Sequence, residues 1–179
     1  MKKTVLVLSL IAFTSVLFAQ TKKTTSATVA FDATTALDAL PKAENKTVIA
    51  EIDTKTGQVG FEAAVKNFAF TNPTIQAHFN EERWLNSDKF PAFTFMGKIS
   101  DVTKYNFSKN GVYNVTVTGQ LTIKDKTNNV TAPATIEVKN GVLTATASFT
   151  IVLADYGVQV GNSGKIAAEP KITVSAELK

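Results

Sequence analysis

The chain of 179 residues contains no cysteine, one histidine, one tryptophan and one arginine. The first absence excludes a disulfide framework, a thiolate nucleophile, a thiolate metal site and the acylated cysteine of a bacterial lipoprotein. The lone His78 has no HExxH partner, so a zinc site would need Glu81 and Glu82 to converge on it, and a helical histidine bonded to a neighbour is the simpler reading. With Arg83 as the only arginine and no block of lysines, the chain has no electrostatic footprint for nucleic acid. No G-x-S-x-G elbow occurs, and "VGNSGK" at Val160–Lys165 lacks the full phosphate-loop spacing, so it reads as a loop.

Apolar runs are scarce as well. The longest, "TVLVLSLIAFTSVLFA" after "MKK", falls short of the ~20 residues of a membrane-spanning helix and has the layout of a secretory signal peptide. The expectation is a leader over 1–19, cleaved after Ala19 to leave Gln20 first and to put the protein in the periplasm or outside the cell, with an uncleaved anchor as the alternative. Two of the 19 basic residues, Lys2 and Lys3, lie in that leader, so the remainder carries 17 basic against 15 acidic residues and is close to neutral. Residues 20–179 suit one domain with enough apolar content for a core.

What is present is strand periodicity. In "GVYNVTVTGQLTIK", Tyr113, Val115, Val117, Gly119, Leu121 and Ile123 share one face while Asn114, Thr116, Thr118, Gln120, Thr122 and Lys124 share the other. "VTAPATIEVK" alternates in the same way through Val130, Ala132, Ala134, Ile136 and Val138. After the turn "KNG", "LTATASFTIVL" sets Leu143, Ala145, Ala147, Phe149, Ile151 and Leu153 against Thr, Ser and Val, which predicts a hairpin. "VGFEAAVK", "FTFMGKI" and "KITVSAELK" add three strands. "ATVAFD" and "TVIAEID" are weaker candidates, and the total is about eight. The period breaks once: Asn72 as N-cap and Pro73 at the first helical position open a helix through "TIQAHFNEERW".

The polar face carries Glu62, Lys66, Lys98, Lys124, Glu137, Lys139, Lys171 and Glu177, too many charges to face lipid as a membrane barrel would require. The reading is therefore all-β, a barrel or sandwich of about eight mostly meandering strands with one helical insertion and an apolar interior. The inward row is rich in small residues, namely Ala63, Gly97, Gly119, Ala132, Ala134, Ala145, Ala147 and Ala176. An eight-stranded barrel so lined either holds one ligand or tapers to a solid core.

The stretch "HFNEERWLNSDKFPAFTF", His78–Phe95, concentrates rare residues. Adjacent carboxylates at Glu81 and Glu82 point about 100° apart on a helix and do not flank one bond, and Arg83 beside them reads as surface charge pairing. The rings of Phe68, Phe70, Phe79, Trp84, Phe90, Phe93 and Phe95 crowd this region, and Ile75 and Phe79 share a helical face. Such a ring-rich plug is either plain core or the mouth of an apolar site. Four Asn-x-Ser/Thr triplets begin at Asn45, Asn106, Asn114 and Asn129, frequent by chance in a Thr-rich chain.

"HFNEERWLNSDKFPAFTFMGKI" resembles the motif of the YceI-like, lipocalin-like family of periplasmic polyisoprenoid-binding proteins, through His78, Phe79, Trp84, Leu85, Asn86, Lys89, Phe90, Pro91, Phe93 and Phe95. "GQLTIKDKTNNVTAP", Gly119–Pro133, and "FTIVLADYGV", Phe149–Val158, are similar to its second and third hallmarks, and the likeness spans roughly Asp53–Lys179. Two positions depart from it: Ile75 and Leu153 stand where family members carry arginine, and the N-terminal strands diverge. The resemblance implies an antiparallel barrel enclosing an elongated isoprenoid or similar lipid, with no catalytic residue, cofactor or metal. Dimers are common in the family, although the exposed faces here carry no apolar stripe.

The ligand-lining residues expected on these grounds are Phe61, Val65, Phe93, Phe95, Val115, Val117, Leu121, Phe149 and Ile151, with Phe79 and Trp84 at the lid. The apolar Ile75 and Leu153 point to a neutral ligand. The competing readings are an envelope adaptor or stress-related interaction module with a solid barrel, and a hydrolase using His78.

Overall fold

The protein is described by a computed structural model over residues 20–179; the expected leader, 1–19, lies outside the described residues. Nine strands form: β1 (Thr21–Asp32), β2 (Lys42–Asp53), β3 (Gln58–Ala64), β4 (Ala69–Phe70), β5 (Ala92–Ile99), β6 (Gly111–Ile123), β7 (Lys126–Lys139), β8 (Val142–Thr150) and β9 (Lys171–Leu178). All pair antiparallel, in the order β1-β9-β8-β7-β6-β5-β3-β2, and β1 pairs again with β2. That last pairing closes an eight-stranded barrel, and the two-residue β4 pairs with the start of β2 at Ala43 and Glu44.

The alternation read from the sequence sets the ladder register. Phe61 lies opposite Phe95 and Phe95 opposite Leu121, so one inward row crosses β3, β5 and β6. Another joins Tyr113, Ile136, Ala145 and Ala176 across β6 to β9. The hairpin β7–β8 turns on Asn140 and Gly141, at φ 51° and 81°. Two successive left-handed residues match the twist of the flanking strands, which is why Asn-Gly suits this position.

Gly97 and Gly119 face each other on β5 and β6. A Cβ on Gly119 would come within 2.5 Å of the Gly97 Cα and the Met96 carbonyl oxygen, and 2.6 Å from Cζ of Phe95. The missing side chains let the Phe95 ring lie along the barrel wall, covering backbone that would otherwise be bare.

Three expectations are corrected. The helix α1 spans Pro73–Asn80 and stops before Glu81, whose ψ of 158° is extended. Helical continuation would stack the charged Arg83 on the same face as Phe79; the break instead turns Arg83 out to solvent and lets Leu85 follow Phe79 inside. The strand read through Leu153 ends at Thr150, because Leu153–Tyr156 form a 3₁₀ turn that brings both Leu153 and Tyr156 into the core. The two N-terminal candidates are full strands of 12 residues each. Their pattern was weak because register shifts in β1 between Thr24 and Val29 interrupt the period of two.

Candidate functional site

The barrel interior divides into three layers. At one end the floor is solid: Ile99, Ile136, Val138, Leu143 and Leu178 are each at most 2% exposed. Beyond them Phe107 stacks with Tyr105 at 5.9 Å and meets Tyr113 edge-on at 5.2 Å. The Tyr113 hydroxyl donates to the carbonyls of Asn106 (2.7 Å) and Lys109 (2.9 Å), tying the β5–β6 loop beneath the barrel.

At the opposite end a lid is built from irregular segments. Phe79 of α1 is its hub, with ring centroids 4.8 Å from Phe70, 5.8 Å from Phe68 and 6.1 Å from Phe31. Such tilted pairs contribute about 0.5–1.5 kcal/mol each beyond area burial. Leu85 from the turn after α1, and Ile151, Leu153 and Val158 from the β8–β9 connection, complete the layer, all buried. Asn72 holds the start of α1, its side-chain oxygen accepting from the amides of Thr74 (2.9 Å) and Ile75 (3.3 Å).

Between floor and lid the inward residues are only half-buried. Phe61, Phe93, Phe95, Val117, Leu121, Ala134, Ala145, Ala147, Phe149 and Ile172 point inward on strands yet keep accessible surface. Inward residues stay accessible only where the interior is not filled, and they surround a cavity of about 160 Å³. Its lining is apolar apart from Thr94 and Thr146, which lie out of phase with the inward positions of β5 and β8. Among the described residues, none that lines it is charged.

Of the expected lining residues, Phe61, Phe79, Trp84, Phe93, Phe95, Val117, Leu121, Phe149 and Ile151 surround this cavity. Val65 and Val115 do not. Both are buried, but Val65 leaves β3 in a 3₁₀ turn under the lid, and Val115 packs on the floor side of the void. The sequence reading missed Phe31, Leu85, Leu153, Val158 and Ile172, which also line it. Phe31 and Ile172 sit opposite each other on β1 and β9, within the segments ATVAFD and KITVSAELK that the sequence marks as strands, so inward parity is the signal that points to them.

His78 lies outside this site. Its side chain is 50% exposed, and its Nε2 stands 4.0 Å from the Glu81 carboxylate, which Arg83 engages at 2.8 Å. Among the described residues no group of three His, Cys, Asp or Glu side chains is placed to hold a metal ion. Glu81 and Glu82 are exposed, Ile75 is half-buried, and none of the three is among the residues that line the cavity. Tyr156, in the 3₁₀ turn that also carries Leu153, is buried, and that burial pushes its phenol up. Among the described residues no helix is long and apolar enough to cross a membrane.

A family model described as the YceI-like domain matches residues 9–178. Similar solved structures include BcnA of Burkholderia cenocepacia, at 20% identity and a TM-score of 0.68 over 86% of this chain and 96% of that one. A polyisoprenoid binding domain from Saccharophagus degradans, implicated in plant cell wall breakdown, gives 9% identity and a TM-score of 0.74 over 89% and 98%. The Campylobacter jejuni YCEI protein gives 16% and 0.53 over 74% and 80%. At these identities the likeness is one of fold. No curated protein matches.

Proposed function

The chain belongs to the YceI-like domain family, and from that premise we propose that it is a non-catalytic carrier holding an apolar isoprenoid or similar lipid inside its barrel, in the cell envelope. The observation that carries this reading is the hollow middle layer, enclosed by a floor and a lid and lined without a charged side chain. Burying hydrocarbon contributes roughly 0.8 kcal/mol per methylene, so a chain filling such a space needs no ion pair to bind. The binding named for the Saccharophagus domain of like fold supports the same ligand class. Placement in the envelope rests on the apolar leader of the sequence.

The test is native mass spectrometry of the protein purified without detergent, followed by solvent extraction of the sample. A co-purifying neutral lipid, lost from the spectrum after extraction, is the expected result. A protein that carries no lipid, and takes up none when offered isoprenoid alcohols, would sink the carrier reading and leave a surface-recognition module. Fractionation of cells and N-terminal sequencing of the exported form check the location, with Gln20 expected as the first residue.

A further inference from the structure

The barrel wall is not laddered over its whole height. The β7–β8 ladder rises from Lys139 and Val142 to Ala134 and Ala147, and there it stops. Both strands continue toward the lid: β7 on to Lys126, paired only with β6, and β8 on to Thr150, paired only with β9. Pro133 accounts for the stop. Ile123 and Lys126 face each other across the Lys124-Asp125 turn, a position at which two residues exchange both backbone hydrogen bonds. Counting on in twos, the even residues of β7 point their amides at β6 and the odd ones point theirs at β8. The next bond past Ala134 would be donated by residue 133, and proline has no N–H to donate. Residues 126–133 therefore border a gap in the wall.

The gap is filled by side chains. The Leu153–Tyr156 turn, which follows closely on β8, packs against β7. Leu153 and, just after the turn, Val158 line the cavity, with Val130 and Ala132 on the β7 side and Ala147 and Phe149 on the β8 side. Ala154 and Asp155 of the same turn are exposed, so one turn of chain separates cavity from solvent here. It is fastened unequally. Its backbone bonds run to its own neighbours and to the β8–β9 connection: Leu153 donates to the Ala168 carbonyl at 3.0 Å, Gly157 to Ala154 at 3.0 Å and Val158 to Leu153 at 3.1 Å. To β7 it is held through Asn128, whose Nδ2 donates to the Asp155 carbonyl at 3.0 Å and whose side chain also reaches the Tyr156 hydroxyl. Swinging the turn off β7 exposes Leu153 and Tyr156 but breaks no strand pairing. Lifting α1 would instead pull Phe79 from Phe31, Phe68 and Phe70 together.

We propose that the Leu153–Tyr156 turn is a side hatch: it hinges off β7 with Asn128 as its latch, and an apolar molecule passes between β7 and β8 into the cavity while α1 stays closed. The proposal rests on the carrier reading and adds the route. Segments held by few hydrogen bonds open at lower free energy than laddered strands, which places the moving part at this turn. A slot in the wall also admits a long chain along its side, so the chain need not thread end-on through the packed rings beneath α1.

The chain has no cysteine, so introduced pairs can be bridged selectively with a short bis-maleimide. Asn128→Cys with Asp155→Cys pins the turn to β7. Lys66→Cys with Asp88→Cys replaces an exposed ion pair and pins the segment after α1 to the end of β3. The readout is stopped-flow uptake of N-phenyl-1-naphthylamine, an apolar dye that brightens on leaving water, before and after bridging. Bridging 128 to 155 should slow uptake at least about tenfold, and bridging 66 to 88 less than about threefold, because only the first blocks the gating motion. The reverse order, equal slowing, or no slowing by either bridge overturns the hatch and leaves the carrier reading intact. If the unbridged protein takes up neither the dye nor farnesol, the carrier reading fails and the hatch with it. Asn128→Ala should speed uptake and release alike by about threefold or more, as expected for one lost hydrogen bond, with affinity changed less than about twofold. Lower affinity or a lower melting temperature with unchanged rates makes Asn128 a structural tie only and counts against the hatch. Should a cysteine pair not fold, hydrogen exchange on the unaltered protein decides: the amides of residues 153–158 should exchange faster than that of Phe79, and the opposite order overturns the proposal.

Discussion

Two residues of the barrel reverse what their chemistry first suggests. Asn45 begins a glycosylation triplet, yet it is fully buried. Its Nδ2 donates to the Ala64 carbonyl at 2.9 Å, and its Oδ1 accepts from the amide and hydroxyl of Thr47, both at 2.9 Å. The side chain thus ties the start of β2 to the end of β3 where the β2–β3 ladder, which runs from Ile49 to Ile52 on β2, has ended. Replacing it by alanine leaves buried partners unpaired, so Asn45→Ala should lower stability by about 2–4 kcal/mol in urea unfolding. His78 is the opposite case, a rare residue with no role in the interior. The substitution His78→Ala should change stability by less than about 0.5 kcal/mol and leave prenol affinity unchanged, as measured by unfolding and titration on the same preparation.

At the scale of elements, α1 acts through one side chain more than through its length. Eight residues make a marginal helix, and it is held by the Asn72 cap at one end and Phe79 at the other. The variant Asn72→Ala should cost about 1 kcal/mol. Phe79→Ala removes the hub ring from four packed aromatics and should cost about 3–5 kcal/mol. If the two variants are equally destabilised in thermal melts, α1 is held by its cap and not by its packing.

The elements differed in how far they could be read from sequence. β6, β7 and β8 were legible because 13, 14 and 9 residues of alternation leave one choice of face. The end of α1 was not, since Glu81–Trp84 has good helix formers and only the tertiary demand to bury Leu85 while exposing Arg83 stops it. Lining positions on long strands were legible for the same reason as the strands. Val65 and Val115 were not separable from them, because parity tells which face a residue takes and not how deep along the axis it lies.

For the whole molecule, the charge pattern predicts how it fails in acid. The Thr34 hydroxyl and amide hold the Asp32 carboxyl below its ordinary value, and the Thr56 amide does the same for Asp53. A carboxyl depressed in the folded state adds stability above its unfolded value, near 3.9, and loses it as pH falls through the folded one. Thermal melts are therefore expected to be flat from about pH 5 to 8 and to drop below about pH 4, with a shallower drop in Asp53→Asn. An equal drop in that variant would show that other carboxyls dominate. At the alkaline end the buried Tyr156 works in the other sense: its raised value adds stability that is lost as pH climbs above about 10.

The seam that closes the ring joins distant parts of the chain. Thr28 pairs with Ser175, and the backbones of Lys23 and Lys179 bond to each other in both directions. A ribosome delivers β1 first and β9 last, so β1 waits through the synthesis of nearly everything else with half of its backbone unpaired. Hairpins such as β6–β7 can form on the way out, but the ring cannot be sealed during translation. Sequence-distant pairing of this kind is slow, in the range of milliseconds to seconds. The newborn chain therefore spends a period as an open, curled sheet whose two edges, β1 and β8, are free to meet the wrong strand.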